Sequence, residues 1–416
     1  MNLFKKFTAV FFSNQLSTLF LFLASILIAR IYGPEGRGYI YSILVIPNLV
    51  SSLTEFGMRQ TAVYFIGIKK PISLVISNLF TYLLLAGFVG IVISFFYFYM
   101  MNEELKFEYV LASLLVLNIL LVNGFRAVFL GYNNFSEYNK FVVLQSFITF
   151  ILLVILYFTS FNNVELVFCI YYISSFLVFT LISFKVFKSY LTKFKYTPSL
   201  LFVKKMLHKS FSYGLVFALV VMNYKFDIIM LSIMSNDYNL GLYTVSTQLI
   251  EIIWLVPAAL IVVLFSISAN NLATIEQLCA AIRATLMGII IICALIILLG
   301  RLIITFLFGE SFLGAYESLI FLLPGAVLMI FFKLIYAYYA GKGKPHKGLK
   351  PILLAVFINI VLNYLLIPIY HELGAALASS VSYSIAGLAM LLVFKFEFKV
   401  SFKDLLLIKI SDLRSF

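Results

Sequence analysis

Charged side chains inside long apolar segments are the residues of this sequence that could do chemistry. Lys225 and Asp227 lie deep in one segment, and Glu251 lies near the middle of the next. An ionised side chain inside a bilayer costs at least about 2.5–3.5 kcal/mol, so each one needs a partner or a function. Because Lys225 and Asp227 are two residues apart, they cannot share a helix face, and we expect each to meet a partner on another helix or in a water-filled cavity. Asp227 and Glu251 are candidates for coupling to a proton or a sodium ion, with hydrogen-bonded packing as the alternative.

Further charged residues lie near the ends of such segments. Glu55 and Arg59 are four residues apart, the spacing of an ion pair on one helix face, and a structural pair explains them as well as a functional site does. Arg126 and Lys333 lie one or two turns inside their segments, where a cation either extends to the lipid headgroups or lines a basic cavity. The candidate anion-binding cations are therefore Arg30, Arg59, Arg126, Lys225 and Lys333, and Glu55 joins Asp227 and Glu251 as a candidate coupling acid.

The segments that hold these residues are long enough to cross a membrane. Hydrophobic residues make up 63% of the chain and charged residues 11%, against about 25% charged residues in soluble domains. Roughly 20 apolar residues in a helix cross a hydrocarbon core. The sequence therefore predicts an all-α integral membrane protein with about twelve spans. Their expected ranges are 8–31, 39–65, 73–101, 107–132, 138–161, 164–187, 210–234, 239–266, 279–308, 314–341, 349–370 and 372–396.

The lysines and arginines are distributed unevenly between the gaps that separate these spans. Most of the 30 lie in every second gap, and the other gaps hold only Arg30, Arg37, Lys106 and Arg301. The positive-inside rule then places both termini in the cytoplasm. This rule also explains the net charge of +13 without nucleic-acid binding, since the sequence has no basic stripe with interleaved aromatic residues. The apolar stretch after Lys5 and Lys6 is too long for a signal-peptide core, so we expect a retained first span.

Short motifs recur at nearly constant spacing and indicate an internal duplication. Gly38 and Gly241 each begin a span, 203 residues apart, and Gly131 and Gly341 each end one, 210 residues apart. Six spans per repeat restore the same orientation, so we expect parallel repeats. Transporters built from repeats place the substrate near the membrane midplane at the repeat interface, and we expect a central cavity there.

The longest polar stretch divides the predicted repeats. We expect an N-terminal six-helix lobe over 1–187, a cytoplasmic linker over 188–209 and a C-terminal six-helix lobe over 210–416 that ends in a short basic tail. The end of the linker has apolar and basic residues at roughly helical spacing. This pattern favours an interfacial helix on the anionic leaflet, with a flexible linker as the alternative.

Residues for enzymatic chemistry are missing from the sequence pattern. The three histidines lie in different gaps, and no phosphate-binding loop of the ATPase type is present. Cys169, Cys279 and Cys293 lie in or beside apolar segments without metal-ligand spacing, so we expect no metal site and no disulfide framework. The sequence thus predicts a protein that is not an enzyme and that has no cofactor apart from a coupling ion.

An ordered set of motifs resembles one known family. The motifs are ARIYGPEGRGY at 29–39, Asp227, Gly241-Leu-Tyr243, FGESFLGA at 308–315, Pro324-Gly325, Asn359 with Asn363 and Pro368, and Gly374-Ala-Ala376. Together they resemble the Wzx-type polysaccharide-export flippases of the MOP (multidrug/oligosaccharidyl-lipid/polysaccharide) superfamily. The resemblance implies twelve helices in two six-helix lobes around a central cavity. It also implies that the protein moves an undecaprenyl-pyrophosphate-linked oligosaccharide, an O-antigen or capsule repeat unit, across the bacterial inner membrane.

This resemblance gives the charged residues a role. A cavity with Arg59, Arg126, Lys225 and Lys333 suits a pyrophosphate, because cations stabilise it through charge-assisted hydrogen bonds. The chain has no ATP site, so an ion gradient or the membrane potential is the remaining source of energy. A polysaccharide polymerase and a chain-length regulator are candidate protein partners, and the lipid bilayer is the medium. The chain lacks the arginine-rich span that some flippases of the superfamily have.

Three rival functions stay open. A drug/cation antiporter of the same superfamily would need an acidic, aromatic cavity, and Lys225 and Lys333 oppose this function. A polysaccharide polymerase would need a large extracytoplasmic loop, whereas the gaps on that side are short. A flippase for lipid-linked peptidoglycan precursors is the third alternative.

Overall fold

The protein is an assembly of long helices. The computed structural model describes residues 3–101, 104, 106–159, 163–190, 195–269, 274–401 and 404–405. No strand occurs in these residues, and nine of their helices are long and apolar enough to cross a membrane. The predicted all-α membrane class is confirmed. The predicted number of twelve spans and the arrangement of lobes around a cavity stay predictions.

Six helices precede the polar stretch and six follow it. The first six are α1 (Leu3–Glu55), α2 (Met58–Gly67), α3 (Ile72–Met101), α4 (Phe107–Gly131), α5 (Phe135–Phe158) and α6 (Glu165–Tyr190). The second six are α7 (Leu200–Met234), α8 (Asp237–Ile253), α9 (Leu255–Ala269), α10 (Ile275–Leu307), α11 (Ala315–Gly341) and α12 (Leu349–Phe398). Short 3₁₀ turns, Glu310–Phe312 and Pro345–Gly348, flank α11.

Two of these helices are too long for a single crossing and contain a backbone break. The break in α1 is at Gly33 (φ 65°, ψ −171°), and the break in α12 is at His371 (φ 50°, ψ −122°). The chain reverses direction at His371. The reversal is shown by the hydroxyl of Ser382, which donates to the carbonyl oxygen of Ala355, 27 residues earlier, at 3.0 Å. This break lies where the sequence predicted a boundary between two spans.

The chain forms two compact units. The first unit comprises Met1–Tyr32 and Ile40–Ala218, and the second comprises Gly33–Tyr39 and Leu219–Phe416. Helix α4 is the most buried span of the first unit and α11 of the second, each with 67% of its most apolar window buried. These two central helices carry Arg126 and Lys333, so each unit places one candidate cation on its innermost helix.

Equivalent helix ends support the predicted duplication. After α4, the backbone N–H of Asn134 bonds to the carbonyl of Phe129, and after α11 that of Lys344 bonds to the carbonyl of Tyr339, both at 2.8 Å. The residue before each donor has positive φ, 56° at Asn133 and 71° at Gly343. This is the same six-residue helix-capping motif in both units.

The predicted linker is organised differently from the expectation. Helix α6 extends to Tyr190, and residues 200–209 are the first ten residues of α7 instead of a separate interfacial helix. The backbone N–H of Thr197 donates to the hydroxyl of Ser77 at 3.0 Å, and that of Ser199 donates to the amide oxygen of Asn78 at 2.6 Å. These bonds hold 195–199 against α3, so the alternative of a flexible linker is wrong for this part. Residues 191–194 and most of the predicted basic tail lie outside the described residues.

Candidate functional site

Arg126 forms the centre of a basic cluster in the first unit. Its guanidinium donates to the side-chain oxygen of Gln145 at 2.6 Å and to the carbonyl of Phe141 at 2.8 Å, both on α5. Its Nε is buried and has no hydrogen-bond partner among the described residues. Arg59 is close enough for the two positive charges to repel each other. Arg126 is therefore held in place by neutral acceptors that leave its charge uncompensated.

Glu55 and Arg59 form the predicted ion pair in an unpredicted setting. Their Oε1 and Nε atoms are 3.2 Å apart, and Glu55 is buried. The expectation of one continuous helix face is wrong, because α1 ends at Glu55 and α2 begins at Met58. Phe56 and Gly57 between them have φ of 44° and 75°. Such a left-handed pair ends a helix, and the two charges meet across the break. The first unit thus contains two cations and one carboxylate in one cluster.

Asp227 of α7 is fully buried in the second unit and is completely surrounded by donors. One carboxylate oxygen accepts from the hydroxyl of Tyr243 on α8 and from that of Ser379 on α12 at 2.8 Å. The other accepts from the backbone N–H of Ile228 at 2.8 Å. The expectation that Asp227 meets partners on other helices is confirmed, and those partners are neutral.

Two asparagines extend this buried network along α12. The amide of Asn359 donates to the hydroxyl of Ser379 at 3.4 Å, and the amide of Asn363 donates to the side-chain oxygen of Asn359 at 3.0 Å. The side-chain oxygen of Asn363 is buried and accepts no hydrogen bond in the described part of the chain. An oxygen acceptor is therefore free at the end of a chain of polar groups that leads to a carboxylate.

Glu251 lies between two lysines at the surface of the second unit. Its Oε1 is 2.9 Å from the Nζ of Lys225, and the Glu251 side chain is 50% exposed. Glu251 also interacts electrostatically with Lys333. The predicted eighth span is divided into two helices, because α8 ends two residues after Glu251 at Ile253 and the chain continues as a separate helix, α9, from Leu255. Pro257 lies in the first turn of α9, where its missing N–H costs little.

Aromatic side chains hold Lys333 in place. Its Nζ lies 4.0 Å from the ring centroid of Trp254 and 5.0 Å from that of Tyr224. Attraction between an ammonium group and an aromatic face stabilises the charged form. Lys333 is directed at a packed aromatic cluster, so simple extension to the headgroups does not describe it. The second unit, like the first, contains two cations and one carboxylate in one cluster.

The remaining candidate cation, Arg30, is exposed in α1 of the first unit. The structure thus groups Arg59 with Arg126 and Lys225 with Lys333, each pair with one acid.

Sequence reasoning missed Arg37, which is fully buried in the second unit. Its Nε donates to the hydroxyl of Thr244 at 3.0 Å, and its Nη2 donates to the side-chain oxygen of Gln248 at 2.8 Å. The sequence pattern placed Arg37 only among the cations of the gaps between spans. Gly38 beside it was the available signal, since a glycine there permits an unusually close backbone approach.

Solved structures with this fold are transporters and flippases by name. A structure of the lipid II flippase MurJ in an inward closed conformation has a TM-score of 0.78 at 18% identity, over 98% of this chain and 90% of that chain. An inward-facing multidrug resistance transporter of the MATE family has a TM-score of 0.71 at 16% identity, over 92% and 94%. A MOP superfamily transporter from Pyrococcus furiosus, whose title reports a reversed polarity of the binding pocket, has a TM-score of 0.68 at 15% identity, over 95% and 96%.

These similarities show the fold, and the sequence itself shows the family. No curated protein matches the chain. Residues 3–270, more than half of the chain, match the family described as polysaccharide biosynthesis protein. Together with the apolar helices, these similarities indicate a multi-pass membrane protein with the fold of the MOP superfamily structures. The chain belongs to the polysaccharide biosynthesis protein family.

Proposed function

We propose that the protein is a flippase that moves an undecaprenyl-pyrophosphate-linked oligosaccharide from the cytoplasmic to the outer leaflet by alternating access. The observation that carries this proposal is the excess positive charge of each cluster. Glu55 pairs with Arg59 and leaves the nearby Arg126 uncompensated, and Lys225 and Lys333 share Glu251. Each cluster can accept a phosphate, because charge-assisted hydrogen bonds to phosphate are about twice as strong as neutral ones.

The unpaired Nε of Arg126 makes this proposal specific. A buried guanidinium nitrogen without an acceptor is costly, and a bound anion relieves that cost. The family match and the similarity to a lipid II flippase support a lipid-linked saccharide as the source of that anion.

Alanine substitutions in both clusters test the function. We expect Arg126→Ala and Lys225→Ala to abolish surface polysaccharide while the protein still inserts, and Arg126→Lys to retain part of the activity. The matched control is Lys185→Ala, which breaks an ion pair with Glu137 (3.1 Å) outside the clusters and is expected to leave export unchanged. Full complementation by both cluster variants would refute a role in binding the pyrophosphate.

A multidrug antiporter is the alternative function. It is favoured by the half-exposed carboxylate of Glu251 beside the aromatic rings of Tyr224 and Trp254, a pattern that suits an organic cation. Lys333 already lies over both rings, and its charge opposes a second cation. Binding of a fluorescent organic cation to the purified protein, lost in Glu251→Gln and unaffected by Arg126→Ala, would favour the antiporter.

We propose that an ion gradient drives the transport, with the Asp227 network as the coupling site. Carboxylate, amide and hydroxyl oxygens are hard ligands that suit an alkali cation. Asp227, Ser379 and Asn363 supply one of each, and the amide oxygen of Asn363 has no other partner in the residues described. A proton on Asp227 is the second candidate. Glu251 is the less protected candidate, since Lys225 already neutralises it.

Gradient dependence in proteoliposomes tests the coupling. We expect Asp227→Asn to remove the dependence of oligosaccharide flipping on an imposed sodium or proton gradient, whereas Glu251→Gln changes it less. If both variants keep the gradient dependence of the parent protein, the carboxyls are structural.

We further propose that the protein lies in the bacterial inner membrane with both termini in the cytoplasm, and that it works beside a polysaccharide polymerase and a chain-length regulator. The alternation of cationic gaps supports this orientation. A cysteine at Ser199 should resist a membrane-impermeant maleimide in intact cells and react in inverted vesicles. Labelling in intact cells would overturn the topology.

Co-purification of the flippase with the polymerase would test the partnership, and separate elution after mild solubilisation would argue against it.

A further inference from the structure

Residues 33–39, called the strap below, comprise the break in α1 at Gly33 and the first helical residues after it. The strap packs with the second unit, although the residues on both sides of it belong to the first. The strap begins at Gly33, whose φ of 65° suits glycine and interrupts α1. A methyl group added at Gly33 would meet no atom within 4 Å. One end of the strap is therefore a conformationally permissive position in open space.

Two glycines bring the strap into backbone contact with the start of α8. A side chain at Gly38 would overlap the carbonyl of Asp237, and a side chain at Gly241 would overlap the carbonyl of Pro34. Both overlaps involve backbone atoms, which cannot rotate away. Any residue larger than glycine at either position would therefore separate the strap from α8.

Arg37 locks this contact with polar groups. Its guanidinium reaches Thr244 and Gln248, one turn apart on α8, and lies 5.4 Å from the ring centroid of Phe308. The hydroxyl of Thr244 in turn donates to the carbonyl of Gly241 at 2.9 Å. The buried arginine thus bonds to the same helix whose backbone the glycines contact.

We propose that the strap is a latch that covers the start of α8 in the closed state. Arg37 is its positioning residue, because its side chain bonds the strap to α8. The latch releases α8 when the backbone rotates at Gly33. A polar lock suits a two-state element, because water can satisfy the guanidinium, hydroxyl and amide once the contact opens. A contact made only of apolar side chains would lose its burial without such replacement. The role of the latch in transport rests on the alternating-access function proposed above, and its sequence position places it on the predicted outer face.

Amide hydrogen exchange of the purified full-length protein in nanodiscs tests the latch without any substrate. We expect Gly38→Ala to raise exchange in 33–39 and 237–248 by about tenfold or more, since one added methyl prevents the contact. Arg37→Ala should produce a smaller rise in the same two segments, and Arg37→Lys should recover part of the protection. The control Gly288→Ala, where a methyl group would meet no atom within 4 Å, should exchange like the parent.

Two results would overturn the latch. The first is unchanged exchange at 33–39 and 237–248 in both Gly38→Ala and Arg37→Ala. The second is a rise spread evenly over α7 to α12, which would make the strap a structural element of the second unit. If amide exchange rises only at 33–39 and 237–248 in the variants, but the parent protein flips no lipid, the latch is supported and the flippase function is refuted. Normal flipping by the parent with unchanged exchange in the variants would refute the latch alone.

Discussion

Asp227 and Glu251 are acids of adjacent helices with contrasting environments. Asp227 is fully buried and accepts hydrogen bonds from Tyr243, Ser379 and its neighbouring backbone N–H. Glu251 is half-exposed and pairs with Lys225 at 2.9 Å. Their segments are almost equally apolar, so hydropathy does not separate them. The difference shows that the helix face and the position of a helix end decide whether a membrane carboxylate is insulated or accessible.

The largest effect is expected where the insulated carboxylate is removed. Asp227→Ala should lower the free energy of unfolding by about 3 kcal/mol or more, because it removes the carboxylate that accepts hydrogen bonds from the buried hydroxyls of Tyr243 and Ser379. Thermal unfolding in detergent measures this loss. Asp227→Asn is the control, since an amide keeps one acceptor oxygen and should lose clearly less. A smaller loss for Asp227→Ala than for Glu251→Ala would reverse the comparison.

Removing one donor from the buried network should have an intermediate effect. Ser379→Ala deletes the 2.8 Å bond to Asp227 and the hydroxyl that Tyr243 and Asn359 approach. We expect a loss of about 1–2 kcal/mol in the same unfolding assay. Ser384→Ala is the matched control on the same helix, because its hydroxyl bonds only within the helix, to Ser380. Equal losses for the two serine variants would mean that the network adds nothing to stability.

The smallest effect is expected for the accessible pair. A double-mutant cycle of Lys225→Ala and Glu251→Ala should give a coupling energy within about 1 kcal/mol, because water screens a pair whose side chains are 32% and 50% exposed. The coupling should weaken further in high salt. The pair Lys347–Glu397, at 2.8 Å and with similar exposure, is the reference cycle. A salt-independent coupling energy of several kcal/mol would mean that Glu251, like Asp227, is insulated from solvent.

The matching ends of α4 and α11 were predictable from glycine spacing, and their physical basis is local. Gly131 and Gly341 end the central helices, and the same capping motif follows each. A helix cap depends on a few consecutive residues, so a short motif is enough to predict it. The ion pairs that follow, Glu137–Lys185 and Lys347–Glu397, have opposite polarity in the two units, and no motif search would have matched them.

The errors of the sequence analysis share one cause. The eighth span was predicted as one apolar run, and the run contains a helix end at Ile253 that hydropathy does not mark. The segment 200–209 was expected to be an independent helix, yet nothing in it stops α7 from continuing. Arg37 was counted only among the cations of the gaps, whereas Gly38 and Gly241 allow the backbone of α8 to approach closely and Arg37 is fully buried.

The sequence alone determined the membrane class, the apolar segments and the presence of charges inside them, because hydropathy is a sum over neighbouring residues. The tertiary structure decided which charge meets which partner. Asp227 bonds to Ser379, 152 residues away, whereas Lys225 two residues before it pairs with Glu251 at 2.9 Å. Side chains two residues apart point to different sides of a helix. Packing, by contrast, brings polar side-chain atoms of helices that are distant in sequence within hydrogen-bond distance, as for Asp227 and Ser379. The function of each charge is set by those distant contacts, which no local pattern in the chain contains.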